Sequence, residues 1–269
     1  MQLKKAIALF LCLLLCMQVL TGSVFATDAN VKSISGDGVK VVFDESTATI
    51  ALYKVDGENE LQMSHSSAMG YPIVNGQAVQ DFTNHTCTVV TSVNGVPGTE
   101  QRMTITSTSP STGLTRTYTL EVSADVADII YTQTTYSAGD TAVTPTWFVD
   151  NVFSLANNTS TIWSYNGGGE GPMHYYDTIQ KIDLSDSTTF TRENKQDSTA
   201  ASIPVADIYS ANGGITVGDA STTRREVHTP IQETLNSAQI SIKWPGKTIA
   251  ANTTVEAGKS FVAVHKGDY

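Results

Sequence analysis

Short stretches of alternating polar and apolar residues recur along the chain, and they constrain the fold most. Residues 39–43 and 49–53 alternate in this way and flank a polar connection, which predicts a β-hairpin. Residues 86–93 and 102–108 flank the sequence NGVPG at 94–98, a strong turn signal. Beyond residue 26, we find no window of eleven residues with clean helical periodicity. The pattern therefore predicts an all-β chain.

Further segments extend this prediction along the chain. Residues 115–122 alternate, with Tyr118, Leu120 and Val122 on one face. Other predicted strands are residues 128–135, 203–209, 214–217, 238–244 and 259–265. Many strands without helices to cover parallel crossovers favour antiparallel sheets packed face to face. We therefore expect an antiparallel β-sandwich.

The first 26 residues have the features of a secretory signal peptide. Lys4 and Lys5 precede an apolar run over residues 6–20, and Ala26 ends a stretch of the type that signal peptidase cleaves. A membrane anchor is the alternative, but about 15 apolar residues are fewer than the roughly 20 needed to span a bilayer. We expect an extracellular protein that is cleaved after Ala26 and then has no membrane span.

Residues 27–269 are acidic, and we expect them to form one β domain. Removing the first 26 of 269 residues leaves 243, and removing two of 16 basic residues leaves 14 against 26 acidic residues, a formal charge of −12. This charge disfavours nucleic acid and anionic membranes as partners, whereas it does not repel a neutral sugar. Cys87 is the one cysteine left, so no internal disulfide forms, and we expect it to be a small buried hydrophobe.

Sequence motifs for metal binding and nucleophilic catalysis are absent. The five histidines show no HxH or HExxH spacing, and no GxSxG occurs. We therefore expect no metal and no cofactor. An alternative is a sandwich-type epimerase, in which a histidine and a carboxylate together open a sugar ring. His174 and Glu226 are the best-placed pair for that role, and His228 is a further candidate base.

Residues 157–200 differ from the rest of the chain. They contain few periodic apolar residues and many Gly, Ser, Thr and Asp, so we predict a long excursion from the sheets. Long structured loops in compact domains tend to be functional. Within this segment, residues 162–179 read IWSYNGGGEGPMHYYDTI and combine aromatic side chains with glycine-rich backbone.

This aromatic stretch supplies the parts of a sugar site. Aromatic rings pack against the apolar C–H face of a pyranose, and Asp or Asn side chains bind its hydroxyls. The carbohydrate-binding candidates are Trp163, Tyr165, Asn166, His174, Tyr175, Tyr176 and Asp177. The alternative is that the same aromatic residues dock another domain, because interfaces are also rich in aromatic residues. Trp147 lies in a strand-like run, which favours a core position.

Several sequence blocks, taken in order, carry a family resemblance. They are GYPIVNGQ at 70–77, VQDF at 79–82, STGLTRTYTL at 111–120, IWSYNGG at 162–168, IPVADIY at 203–209, GITVG at 214–218 and VHKGDY at 264–269. Together they resemble the N-terminal β-supersandwich of bacterial glycoside hydrolase family 36, the α-galactosidase-like enzymes. The resemblance spans nearly all of residues 27–269. EGPMH at 170–174 differs from the Tyr-Glu-Ser-Arg-like continuation usual in that family.

The resemblance implies a galactose-mutarotase-like β-supersandwich that precedes a catalytic (β/α)₈ barrel. In that family the barrel supplies both catalytic Asp residues, so we assign no catalytic residue here. We expect the chain to stop before the barrel and to be a non-catalytic domain of a secreted glycosidase. Its expected partners are that barrel and a galactoside-like glycan, whose cleft the domain edges. Alternatives are a free-standing carbohydrate-binding module and, less favoured, a sugar epimerase.

Overall fold

The computed structural model describes eight stretches of the chain. They are residues 30–91, 100–156, 161–165, 180–183, 190–196, 204–222, 226–234 and 237–266. The described residues from Lys32 onward cluster as one compact unit. The predicted signal peptide, residues 1–26, lies outside the described residues.

The described residues form eighteen β-strands and no helix. The strands are β1 (Val31–Ser35), β2 (Val39–Asp44), β3 (Thr49–Asp56), β4 (Asn59–Val74), β5 (Gln77–Ala78), β6 (Thr83–Val90), β7 (Glu100–Thr108), β8 (Thr115–Ser123), β9 (Ile129–Ser137), β10 (Pro145–Leu155), β11 (Thr161–Tyr165), β12 (Gln180–Asp183), β13 (Phe190–Gln196), β14 (Val205–Ser210), β15 (Gly213–Asp219), β16 (Val227–Thr234), β17 (Ser237–Pro245) and β18 (Thr254–His265). Across these stretches no helix has the length and apolar character that crossing a bilayer requires.

Two nine-stranded sheets contain all of these strands. The first sheet has the order β1-β2-β3-β4-β10-β17-β16-β13, with β5 paired to β4. The second has the order β12-β11-β14-β15-β18-β9-β8-β7-β6. The ladders are antiparallel, including the predicted hairpin of β2 and β3 and the pair of β6 and β7. The predicted antiparallel sandwich is confirmed.

The core lies between the two sheets and follows the alternation of the strands. In β8, every second residue is buried, and Tyr118, Leu120 and Val122 share the inward face as predicted. In β2 of the opposite sheet, Val41 and Phe43 point inward and are fully buried. Burying one such apolar side chain contributes about 1.5–3 kcal/mol, so the inward faces supply most of the stability.

One polar cluster interrupts this apolar core around Arg116 of β8. Arg116 is 2% exposed, and its Nη1 donates to the carbonyl oxygens of Ala68 (2.7 Å) and Gly70 in β4. Its guanidinium also lies 4.3 Å from the centre of the Phe82 ring. Burial lowers the pKa of Arg116, and the nearby Tyr136 and Asp150 oppose that effect. Arg116 therefore connects the second sheet to the first.

A bulge in β10 adds a second polar link between the sheets. The register of β10 shifts next to Asp150, and Asn151 has a φ of +50°, a conformation that Asn tolerates better than most residues. Asn151 Oδ1 accepts from Tyr118 Oη at 2.6 Å. Asn151 Nδ2 donates to Thr132 Oγ1 at 3.0 Å and Ser260 Oγ at 2.9 Å. One side chain of the first sheet is thus bonded to β8, β9 and β18 of the second.

The prediction that residues 157–200 leave the sheets is wrong for the residues described there. β11 and β12 extend the second sheet beyond β14, and β13 forms one end of the first sheet. β12 and β13 are edge strands and β11 is next to an edge, and pairing there rests on main-chain hydrogen bonds that leave little trace in the side-chain pattern. The segment therefore contributes strands as well as connections.

Candidate functional site

The first part of the aromatic stretch lies on β11, near one end of the second sheet. Ile162 and Ser164 are buried and face the core, so Trp163 and Tyr165 lie on the outer face, where both are half-buried. In the neighbouring strand β14, Tyr209 pairs with Trp163, and Asp207 pairs with Tyr165. The rings of Trp163 and Tyr209 are stacked, with centres 5.7 Å apart and planes 17° apart.

A histidine and a carboxylate meet beside these rings. His265 of β18 donates from Nε2 to Asp207 Oδ1 at 2.9 Å, and Thr216 Oγ1 of β15 donates to the same oxygen at 2.9 Å. The His265 and Asp207 side chains are only 9% and 12% exposed. The His265 ring meets Tyr209 edge-on, with centres 6.0 Å apart. We call the group of Trp163, Tyr165, Asp207, Tyr209 and His265 the Trp163 patch.

A glycine in β15 makes this arrangement possible. Gly214 lies between Tyr209 and His265, its cross-strand partners in β14 and β18. A Cβ on Gly214 would stand 2.3 Å from the Tyr209 Cβ and 2.7 Å from the His265 Cε1. It would also stand 2.5 Å from the Ile208 carbonyl oxygen. Real Cβ atoms do not approach other heavy atoms so closely, so any larger residue would displace His265, Tyr209 or the backbone of β14. Gly214 therefore positions the His265–Asp207 pair.

The structure places two of the seven predicted sugar-binding residues in this patch. Trp163 and Tyr165 point outward together. The other predicted site residues lie outside the described residues: Asn166, His174, Tyr175, Tyr176 and Asp177. Sugar binding stays a prediction for all seven residues.

Sequence reasoning missed three members of the patch: Asp207, Tyr209 and His265. One signal was available, because Asp207 and Tyr209 are two residues apart in a predicted strand and must share a face. Their meeting with His265, 58 residues further along, depends on the pairing of β14, β15 and β18. No local pattern encodes that pairing.

The outer face of the first sheet carries a second aromatic group. Trp147 of β10 is half-buried there, with Lys243 Nζ 4.6 Å from its ring centre and the His228 ring 4.8 Å away. The prediction that Trp147 belongs to the core is wrong. Its neighbour Phe148 is buried instead, because alternation along the strand directs the two to opposite faces.

His228 has a carboxylate partner just before its own strand. Its Nε2 lies 2.8 Å from Glu226 Oε1, and the Glu226 side chain is 34% exposed. Glu226 immediately precedes β16 and is two residues from His228, so this contact is local. The predicted ring-opening pair was Glu226 with His174, and His174 lies outside the described residues. His228, the further candidate base, is the histidine that contacts Glu226.

Two further features bear on reactivity. Burial raises the pKa of the Cys87 thiol to about 11, and the nearby Glu45 carboxylate adds to this effect. The thiol is therefore protonated at neutral pH. A protonated thiol is a poor nucleophile. Cys87 packs against the core as a hydrophobic residue, but it is half-buried and not fully buried as predicted. Within the described stretches, no group of three or more His, Cys, Asp or Glu side chains is arranged to hold a metal ion.

These features define an all-β sandwich with aromatic, polar patches on its outer faces. The fold is that of the N-terminal β-supersandwich region of family 36 α-galactosidases and related enzymes. One such neighbour is the family 36 α-galactosidase AgaB from Geobacillus stearothermophilus, with a TM-score of 0.59 and 12% identity over 88% of this chain and 40% of that chain. Another is the α-N-acetylgalactosaminidase NagBb from Bifidobacterium bifidum, with a TM-score of 0.58 and 8% identity over 88% of this chain and 36% of that chain.

Sequence comparison points to a similar group of proteins. The chain is 55% identical to a protein of Flavonifractor plautii named "A type blood alpha-D-galactosamine galactosaminidase". The match covers 99% of this chain and 26% of that protein, so the chain spans about a quarter of its relative's length. No family model matches the chain.

Proposed function

We propose that this chain is a non-catalytic sandwich domain of a secreted glycoside hydrolase that acts on α-linked galactosamine or a closely related galactose-type sugar. One observation carries the proposal: the chain is 55% identical, over 99% of its length, to part of a galactosaminidase. The structural neighbours support the sugar class, because they are named α-galactosidase and α-N-acetylgalactosaminidase. A formal charge of −12 for residues 27–269 fits a sugar-directed secreted protein better than one that binds nucleic acid.

Catalysis is assigned to the rest of the parent enzyme. The family resemblance implies that both catalytic carboxylates lie in a barrel, beyond the sandwich. In the Trp163 patch, His265 and Asp207 are buried and bonded to each other. Buried polar groups that are bonded in this way stabilise a fold, whereas a catalytic nucleophile has to be open to its substrate. The domain then supports the barrel.

We assign the Trp163 patch to the edge of the sugar cleft. Trp163 and Tyr209 form a stacked aromatic surface beside Tyr165 on a sheet whose other outward residues include many threonines. Such a surface suits the apolar face of a pyranose, and it also suits contact with a neighbouring domain. Both roles place the patch next to the catalytic domain.

A domain exchange tests this proposal. The matching quarter of the Flavonifractor galactosaminidase is replaced by residues 27–269 of this chain, and hydrolysis of p-nitrophenyl α-D-galactosaminide is measured. We expect the exchanged enzyme to be active, the enzyme without any sandwich to be inactive, and this chain alone to be inactive. A sandwich from the Geobacillus α-galactosidase, 12% identical to this chain, is the matched control and should fail to restore activity. Hydrolysis by this chain alone would overturn the proposal.

The His265–Asp207 pair supports a second candidate, an epimerase that opens sugar rings. A histidine bonded to a carboxylate can transfer protons at a sugar oxygen, and Trp163 and Tyr209 lie beside this pair. Polarimetry of freshly dissolved α-D-galactose separates the two candidates. The leading proposal predicts no acceleration of anomer interconversion by this chain. Acceleration that is lost in His265→Ala would favour the epimerase.

A further inference from the structure

A second surface feature lies on the outer face of the second sheet, away from the Trp163 patch. It is a cleft of about 240 Å³ over β8, β9 and β18. Its lining residues are Thr119, Glu121, Tyr131, Thr132, Gln133, Ala220, Lys259 and Ser260. Four strand spacings separate β9 from β11, so at roughly 4.8 Å each the cleft lies about 19 Å across the sheet from Trp163.

The floor of the cleft contains an unusually open aromatic ring. Tyr131 is 44% exposed, whereas the other aromatic rings whose side chains are described are buried or half-buried. Phe261 is the cross-strand partner of Tyr131 in β18 but does not cover the Tyr131 ring. The Phe261 ring lies over Gly218 of β15, on the other side of β18 from Tyr131. A Cβ on Gly218 would stand 2.4 Å from Phe261 Cε1. The glycine thus keeps Phe261 off the cleft.

Hydrogen-bonding side chains surround the Tyr131 ring on the same face. Glu121 pairs directly with Tyr131 across the strands and accepts from Arg102 Nε. Gln133 donates from Nε2 to Glu256 Oε2 at 2.6 Å. Lys259 is exposed opposite Gln133. The charged lining residues are one carboxylate, Glu121, and one cation, Lys259, and their charges balance. This balance favours an uncharged ligand with many hydroxyl groups over an ion or a charged peptide.

The rim is also held in place by main-chain contacts. The carbonyl oxygen of Lys259 accepts from the Ala220 amide at 3.0 Å. Ser221 Oγ donates to the same carbonyl at 3.4 Å and to Asp219 Oδ1 at 2.8 Å. Asp219 in turn accepts from Trp244 Nε1 in the core. A rim anchored in this way loses little conformational entropy when it binds a ligand.

We propose that this cleft binds one hexopyranose unit of a neutral glycan. The Tyr131 ring packs against the apolar C–H face of the sugar, and Glu121, Gln133 and Lys259 bind its hydroxyl groups. A ring with an apolar body beside hydrogen-bonding side chains matches a pyranose, which has one apolar face and a rim of hydroxyls. The site is separate from the Trp163 patch and does not rest on the proposed hydrolase function.

Ligand binding to the whole chain tests this site. Saturation-transfer NMR is recorded with the methyl α-glycosides of galactose, N-acetylgalactosamine and glucose. We expect transfer to at least one of them, and we expect Tyr131→Ala to weaken binding by about fivefold or more, as truncation of a central contact residue does. Tyr131→Phe keeps the ring and should bind like the wild type. Val90→Ala, exposed on β6 of the same sheet, is the surface control and should also bind normally.

Two results would overturn the site. One is the absence of saturation transfer to all three glycosides. The other is binding that survives Tyr131→Ala and is lost in Trp163→Ala, which would place the sugar at the Trp163 patch. If Tyr131→Ala fails to fold by circular dichroism, Gln133→Ala and Lys259→Ala replace it and should each weaken binding. Failure here leaves the domain exchange unaffected, so the two proposals fail separately.

Discussion

Polar side chains gather in two regions of this sandwich, and the two regions are bonded in different directions. In the interior cluster of Arg116, Tyr118 and Asn151, the hydrogen bonds run from one sheet to the other. In the Trp163 patch, the bonds of Asp207 run within one sheet, to His265 and Thr216 on its outer face. The first arrangement fixes how the sheets pack. The second fixes a surface, which leaves that surface available for recognition.

The largest expected effect comes from the interior. Arg116→Met removes the donor for the Ala68 and Gly70 carbonyls and leaves both oxygens in the core. We expect the free energy of unfolding to fall by about 3 kcal/mol or more, as when one partner of a buried charged contact is lost. Urea unfolding should show a lower midpoint with an unchanged m-value. The control is Arg102→Met, a partly exposed partner of Glu121, which should cost less than about 1 kcal/mol. Equal losses of unfolding free energy in the two variants would contradict the proposed difference between the interior cluster and the surface contact.

The next effect concerns the framework of the Trp163 patch. Gly214→Ala forces a Cβ against Tyr209 and the His265 ring, and we expect a loss of about 2 kcal/mol, typical of overpacking. Gly139→Ala is the matched control, because its Cβ would meet only the Gly113 carbonyl oxygen, at 3.9 Å. Thermal unfolding of both variants checks this. A Gly214→Ala protein as stable as Gly139→Ala would show that the His265 position is not fixed by the glycine.

Alkaline pH tests the interior region through its buried tyrosines. Burial raises the pKa of Tyr118 and Tyr136 well above the ordinary value, and the Asp150 carboxylate adds to this. The unfolded chain therefore releases these protons first, near pH 10, and stability that is fully present below pH 10 is lost as the pH rises further. Tyr118→Phe should make that decline shallower, while costing about 1 kcal/mol at pH 7 through the lost bond to Asn151. Urea unfolding at pH 7 to 11 measures both, and an unchanged slope would contradict the assignment.

An equally small effect on stability is expected for the outward Trp163 ring itself. Trp163→Ala removes a stacked contact with Tyr209 from a strand near the sheet edge and should cost about 1 kcal/mol. In the exchanged galactosaminidase, the same change should lower kcat/KM, because the patch is assigned to the edge of the sugar cleft. Trp147→Ala, on the opposite outer face, is the control and should leave kcat/KM unchanged. Equal activities of the two variants would remove the Trp163 patch from the cleft.

The sequence predicted the regions where strand alternation is strong. The hairpin of β2 and β3 and the inward face of β8 follow directly from a period of two. The bulge at Asn151 and the strands β11 to β13, which lie at or next to sheet edges, were missed. A left-handed residue inside a strand and pairing by main-chain hydrogen bonds have no clear side-chain signal. In the candidate site, Trp163 and Tyr165 were found as aromatic residues in an unusual stretch. The His265–Asp207 pair was not predicted, because the two residues meet only when β14, β15 and β18 lie side by side in the sheet.

The domain exchange with the Flavonifractor galactosaminidase tests the central claim most directly. The exchanged enzyme should hydrolyse p-nitrophenyl α-D-galactosaminide at a rate close to that of the unmodified enzyme, because this chain is 55% identical to the part that it replaces. This chain alone should show no hydrolysis. A soluble, folded exchanged enzyme without activity would contradict the claim that this chain is the sandwich domain of such a hydrolase.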